Sequence, residues 1–229
     1  MSALLESIDF GILLTVVAYC VGTAIQKKTG LVICNNLLIA ALLIAAVLTV
    51  FHIPYDSYFK GGSFINTMLG PATACLAVNI YNKMELLKKY WLPVLAGCTA
   101  GALASVVSVF LMCRAFGLDR AMTTSLLPKS VTTPIASAVA ESNGGIVPIA
   151  VAAVIFTGIL GNLVAPLLVK VFRVKGPMAV GLGIGACSHA MGTAKALEMG
   201  TTEGAMSGLA MGLCGLITAV MALSFEFLI

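Results

Sequence analysis

Charge is the scarcest thing in this sequence. Of 229 residues, 13 are Lys or Arg and 9 are Asp or Glu, 10% in all, where a soluble domain carries about a quarter. A water-soluble fold is excluded on that ground. Histidine occurs twice, and no Cys-x-x-Cys pair exists, so no metal site and no cofactor are expected. The seven cysteines are scattered through apolar segments and read as small buried hydrophobes. Short segments of alternating polarity are missing, which excludes a transmembrane β-barrel. Met1–Glu6 has no basic n-region, so no cleavable signal is expected. The net charge of +4 comes from bases in short loops and gives no surface for nucleic acid.

What is present is apolar residue, 60% of the chain. It comes in uncharged runs: 10–26, 29–55, 61–82, 90–113, 142–169, 176–194 and 204–225. Most reach the ~18–20 residues that cross about 30 Å of hydrocarbon. The pattern predicts an all-α polytopic membrane protein, one transmembrane domain over 1–229. About six spanning helices are joined by two broken or re-entrant segments, at 121–141 and 178–195. Lys27-Lys28, the bases at 83–89 and those at 170–175 mark cytoplasmic loops by the positive-inside rule, which puts the N-terminus outside. If 121–141 spanned fully, the bases at 170–175 would fall outside; a re-entrant pair of half-helices avoids this, although crossed broken helices also occur in transporters. Tyr55, Tyr58 and Phe59 suit a headgroup belt.

The chain is organised around Leu127-Pro128-Lys129-Ser130-Val131-Thr132-Thr133-Pro134. Each proline lacks an N–H and clashes with the preceding turn, so Pro128 and Pro134 break a membrane helix here. Thr133-Pro134 reads as an N-cap followed by the first helical position. The restarted helix turns its positive dipole end toward Lys129, Ser130, Thr132 and Thr133, a setting that holds a small anion. A plain proline kink, with hydroxyls on freed carbonyls and a lysine reaching to an interface, accounts for the same residues structurally.

Two further segments are interrupted. In the first, Gly70-Pro71 breaks the run from 63 to 82, with Asn66 and Thr73 beside it. In the second, four glycines fall between Gly181 and Gly192, with Ser188 and His189 among them and Thr193 directly after. Its GxGxG resembles a phosphate loop, but no strand precedes it. A lone histidine is commonly a satisfied core residue; in a broken, uncharged segment it is also a candidate for ligand binding or proton coupling. Glu198 and Glu203 read as loop charges. Gly158, Gly161, Asn162 and Pro166, and the glycines after Gly204, read as helix-packing residues. The three interrupted segments, each followed by a long apolar helix, are candidate internal repeats.

An enzyme is not expected. Ser188 and His189 are adjacent and need not face one another, and no acidic third member lies in the apolar part. A carrier and an oligomeric pore remain. Small-residue faces serve both, and they favour a homo-oligomer, but a simple pore has no need of several interrupted polar segments.

The same residues resemble the LrgB/CidB family of antiholin-like membrane proteins, which is related to the plastid glycolate/glycerate translocator. The matching strings are Tyr55–Gly61, Leu69–Thr73, Leu127–Ala136, Ser188–Ala194 and Glu203–Ala205. Cys187 stands where relatives usually have a small residue, and Lys195 where arginine is frequent. The resemblance implies a bacterial inner-membrane protein, often paired with a small LrgA/CidA-type partner. It implies either transport of small carboxylates (glycolate, glycerate, pyruvate or 3-hydroxypropionate) or modulation of murein hydrolase release and lysis. With the carrier reading, Lys129 balances the substrate charge. Ser130, Thr132, Thr133 and the helix N–H groups bind its oxygens, Ser188, His189 and Thr193 complete the site, and Asn66 and Thr73 form a third wall. Coupling to protons or to sodium stays open.

Overall fold

The computed structural model describes residues 7–30, 36–68, 71, 74, 78, 81 and 84–225. The chain divides into two compact units, 1–73 and 74–229.

The first unit holds α1 (Ile8–Thr29), α2 (Asn36–Val50) and α3 (Tyr55–Thr67). Ser7 caps α1 by accepting the Phe10 N–H, and Gly30, at φ 65°, ends it in the left-handed conformation. Glycine lets α1 and α3 touch: a Cβ on Gly11 would come 2.8 Å from the Gly61 Cα. The Thr15 and Tyr58 hydroxyls meet at 3.1 Å beside this contact. α2 falls within the uncharged run 29–55; Asn36, its first described residue, donates its N–H to the Gln26 side chain at 3.2 Å, and residues 31–35 lie outside the described ones. α3 ends at Thr67, ahead of Gly70-Pro71. Gly70 and Thr73 lie outside the described residues, while Pro71 is helical and exposed.

The second unit contains α4 (Met84–Lys89), α5 (Trp91–Ala115), α6 (Arg120–Leu126), α7 (Thr133–Ser142), α8 (Val147–Val171), α9 (Pro177–Met199) and α10 (Thr201–Ala222). Among the described residues four helices, α1, α5, α8 and α10, are long and apolar enough to cross a membrane. The chain is a multi-pass all-α membrane protein. The two remaining expected spans are α2, 15 residues long, and 63–82, most of whose second half lies outside the described residues.

α9 and α10 form the central hairpin. Gly181 and Gly185 have no room for a side chain, because the backbone of Glu203 and Ser207 lies against them. These glycines serve close helix packing and not a phosphate loop. Val94 and Cys98 of α5 pack on the hairpin with Met206, Leu209 and Ala210, and the Cys214 thiol donates to the Cys98 carbonyl. Cys113 is buried as well, whereas Cys20 and Cys187 are exposed, contrary to the expectation for all seven. Glu198 and Glu203 are helical, not loop charges; Glu198 pairs with Lys195 at 2.7 Å.

α6 and α7 are about 10 and 15 Å long by helical rise, each too short to cross a bilayer. Ser125, at the end of α6, accepts the Ile146 N–H at 2.7 Å and so ties α6 to the start of α8. The turn between α7 and α8 uses Gly144 at φ 74°.

Candidate functional site

The interruption between α6 and α7 is built by its prolines and anchored by its apolar residues. Pro128 has no N–H, and the chain closes two short turns instead, Lys129 N–H to Leu126 O and Val131 N–H to Pro128 O. Leu127 is buried against Val106, Val109 and Cys113. Val131 is buried against Ala136 and Val154. Between these anchors lie Lys129 and Ser130. The Ser130 hydroxyl meets that of Ser105, in the middle third of α5, at 2.8 Å. The Lys129 ammonium donates to Ser130 Oγ at 3.2 Å and has no acidic partner among the described residues.

α7 begins one residue earlier than its sequence suggests. Thr132 is the N-cap, in extended conformation, and Thr133 is already helical with Pro134 behind it. The reason is that the Thr132 carbonyl accepts the Ala136 N–H at 2.9 Å, closing the first turn there. The Thr132 side chain does not perform the capping bond that its position permits. Its hydroxyl is buried, and it has no hydrogen-bond partner among the described residues. An unpaired buried hydroxyl costs about 1–3 kcal/mol. It sits where the first N–H groups of α7 have no intrahelical acceptor.

The second interruption lies inside α9. The helix is regular up to Ser188 and departs at His189, with φ 41° and ψ −137°. α8 makes room for this. A Cβ on Gly158 would come 2.6 Å from the His189 ring, and one on Gly161 would collide with Ser188 Oγ. His189 Nε2 lies 3.0 Å from the Val154 carbonyl oxygen, a contact that makes Nε2 the protonated nitrogen. Asn162 donates its amide to the Met191 carbonyl at 3.1 Å. Thr193 donates to the His189 carbonyl at 2.9 Å and shares a 2.9 Å bond with Ser207 of α10.

A cavity of about 630 Å³ opens between α8 and α9. Lys129, Thr157, Gly161, Cys187 and Ser188 surround one end, and Phe172 and Val174 stand at the other. No Asp or Glu lines it. Of the expected site residues, Lys129 and Ser188 are in its wall. Ser130, Thr132, Thr133, His189 and Thr193 lie at the two interruptions beside it. Asn66 is exposed on α3, in the other unit. Among the described residues no group of three or more His, Cys, Asp or Glu could hold a metal ion.

The model of the LrgB-like family matches residues 15–227. The chain belongs to the LrgB-like family. It is 39% identical over 212 residues to the antiholin-like protein LrgB of Bacillus cereus strain B4264, covering 92% of each chain. The antiholin-like protein LrgB of Bacillus anthracis strain A0248 matches to the same extent. No solved structure matches. LrgB-like proteins are non-catalytic membrane proteins. In this chain the Ser188 and His189 side chains face Gly161 and Gly158 of α8 respectively.

Several residues that matter in this LrgB-family chain have no site role in the sequence: Gly158, Gly161 and Asn162 read there as packing residues, Cys187 as a small buried hydrophobe, and Thr157 is not singled out. Gly158, Gly161 and Asn162 shape the break in α9, and Thr157 and Cys187 line the cavity beside Lys129. Their signal in the sequence was weak, since glycine and Asn are common in membrane helices for packing alone. Chemically, the arrangement offers one ammonium, hydroxyls and a helix start to a single negative charge. It offers no arginine fork to a polyanion.

Proposed function

We propose that this LrgB-family protein is a secondary carrier for a small carboxylate of the glycolate, glycerate, pyruvate or 3-hydroxypropionate type. One observation supports the reading: among the described residues the Thr132 hydroxyl is buried and unpartnered at the start of α7, and Lys129, three residues before it, has no acidic partner. A carboxylate would supply the missing acceptor and the missing charge together. Lys129 balances the substrate, Ser130, Thr132 and Thr133 bind its oxygens, and Ser188, His189 and Thr193 form the opposite side. The substrate enters in a re-entrant arrangement of α6 and α7 within the inner membrane, with the N-terminus outside. Protons through His189 or sodium through freed carbonyls drive it. Asn66 and Thr73, in the first unit, are left out of this site.

Uptake of labelled glycolate and pyruvate into proteoliposomes tests the carrier. Saturable uptake that falls at least tenfold in Lys129→Ala is expected. Normal uptake in both Lys129→Ala and His189→Ala overturns the site.

The relatives favour a second reading more than the first. Both are named antiholin-like, which supports a modulator of murein hydrolase export and lysis, acting as a homo-oligomer or with a small LrgA/CidA-type membrane partner. Dye leakage from the same vesicles separates the two. A pore-type protein releases dye without saturation; a carrier retains it.

A further inference from the structure

The cavity beside Lys129 is much larger and much less polar than a two- or three-carbon carboxylate requires. At about 30 Å³ per water, its roughly 630 Å³ would take about twenty water molecules. It follows α8 from Phe156 to Phe172, about 24 Å by helical rise. Beyond the Lys129 end its wall is hydrocarbon: Leu160, Val164, Leu168, Val180 and Ile184. Phe156 and Phe172 are 64% and 72% exposed, so the trough is open along its side and not sealed. Gly183, on its floor, has open space where a Cβ would stand.

An apolar trough alone would be an ordinary lipid-facing groove. The ammonium at its end makes it selective. Lys129 has no acidic partner among the described residues, and the trough contains no acid. An unpaired ammonium at membrane depth is costly, and a neutral hydrocarbon tail does nothing to relieve it. We infer that the trough between α8 and α9 is a binding site for an amphiphilic monocarboxylate, a medium-chain fatty acid, with its carboxylate at Lys129 and Ser188 and its tail lying along Gly183 toward Phe172. Such a ligand blocks access of small carboxylates to Lys129. The inference rests on Lys129 as the anion-binding group of the proposed function, but not on transport.

The test uses the full chain in nanodiscs, with decanoate as probe and decanol as the uncharged control of equal chain length. Two readouts apply: thermal unfolding, and protection of Cys187 from maleimide located by mass spectrometry. Decanoate is expected to raise the unfolding temperature by several degrees and to slow Cys187 alkylation at least fivefold, with decanol doing neither. Lys129→Gln abolishes both effects. Gly183→Leu, which projects a side chain into the trough, also abolishes them while small-carboxylate uptake persists. Equal protection by decanol overturns the proposal, because the groove then takes any lipid tail. Undiminished decanoate protection in either variant overturns it too. If no uptake is measured but Lys129-dependent decanoate binding is, the carrier reading fails and this one stands; Lys129-dependent uptake that decanoate neither inhibits nor protects against reverses that result.

Discussion

The Nε2 nitrogen of His189 lies 3.0 Å from the carbonyl oxygen of Val154, and the Val154 side chain packs against Val131. One residue of α8 therefore touches both interrupted segments, the loop before α7 and the break within α9. The two breaks are held at one level of the protein by a continuous helix between them.

His189 has φ 41° and ψ −137°, a combination open to glycine and strained for other residues by about 1–3 kcal/mol. Elsewhere in a helix glycine is worse than alanine by up to about 1 kcal/mol. At this position the order should invert. His189→Gly is expected to unfold at a higher temperature than His189→Ala in nanodiscs, both below the parent. The opposite order would mean that the break in α9 is absent in the bilayer.

Gly161 faces Ser188 so closely that a methyl group would collide with its hydroxyl oxygen. Gly161→Ala is expected to cost about 1–3 kcal/mol, the range for overpacking, and to lower small-anion uptake. Combining it with Ser188→Gly removes the colliding atoms. The double variant should recover unfolding temperature but not uptake; no recovery would place the collision elsewhere.

Thr132 separates a binding hydroxyl from a structural one. Its side chain makes no capping bond and has no partner among the described residues. Thr132→Val therefore removes an unpaired buried polar group. The unfolding temperature should stay or rise, while the affinity for a small carboxylate falls. A clear loss of stability would show that the hydroxyl is bonded in the folded protein and is no part of a ligand site.

Thr193 and Ser207 join α9 to α10 through hydroxyls 2.9 Å apart. Hydrogen bonds between membrane helices average about 0.6 kcal/mol and reach about 1.7. A double-mutant cycle of Thr193→Val and Ser207→Ala should return a coupling energy inside that range. A value near zero would argue that the two hydroxyls do not bond.

Much of this was readable from local chemistry. A proline lacks its N–H in any context, so the break at Pro128 could be located without neighbours. The start of α7 was misplaced by one residue, from Thr133 to Thr132, because both threonines are good caps and only the Thr132 carbonyl bond to Ala136 chooses between them. The α9 break was legible as a region and not as a residue. Four glycines weaken the helix throughout, but His189 is where it departs, because Gly158 leaves space for its ring and Val154 offers it an acceptor.

Hydropathy and proline placement alone determined that the chain is a membrane protein, that it is helical, and that it interrupts itself around Lys129. These properties belong to single residues and short windows, so no fold is needed to read them. The tertiary structure alone decided that the Thr132 hydroxyl is left without a partner among the described residues, that Ser188 and His189 are seated by glycines on α8, and that Lys129 stands at the end of an apolar trough. Those facts depend on which helices meet and at what distance, which residues far apart in the chain settle only by packing together.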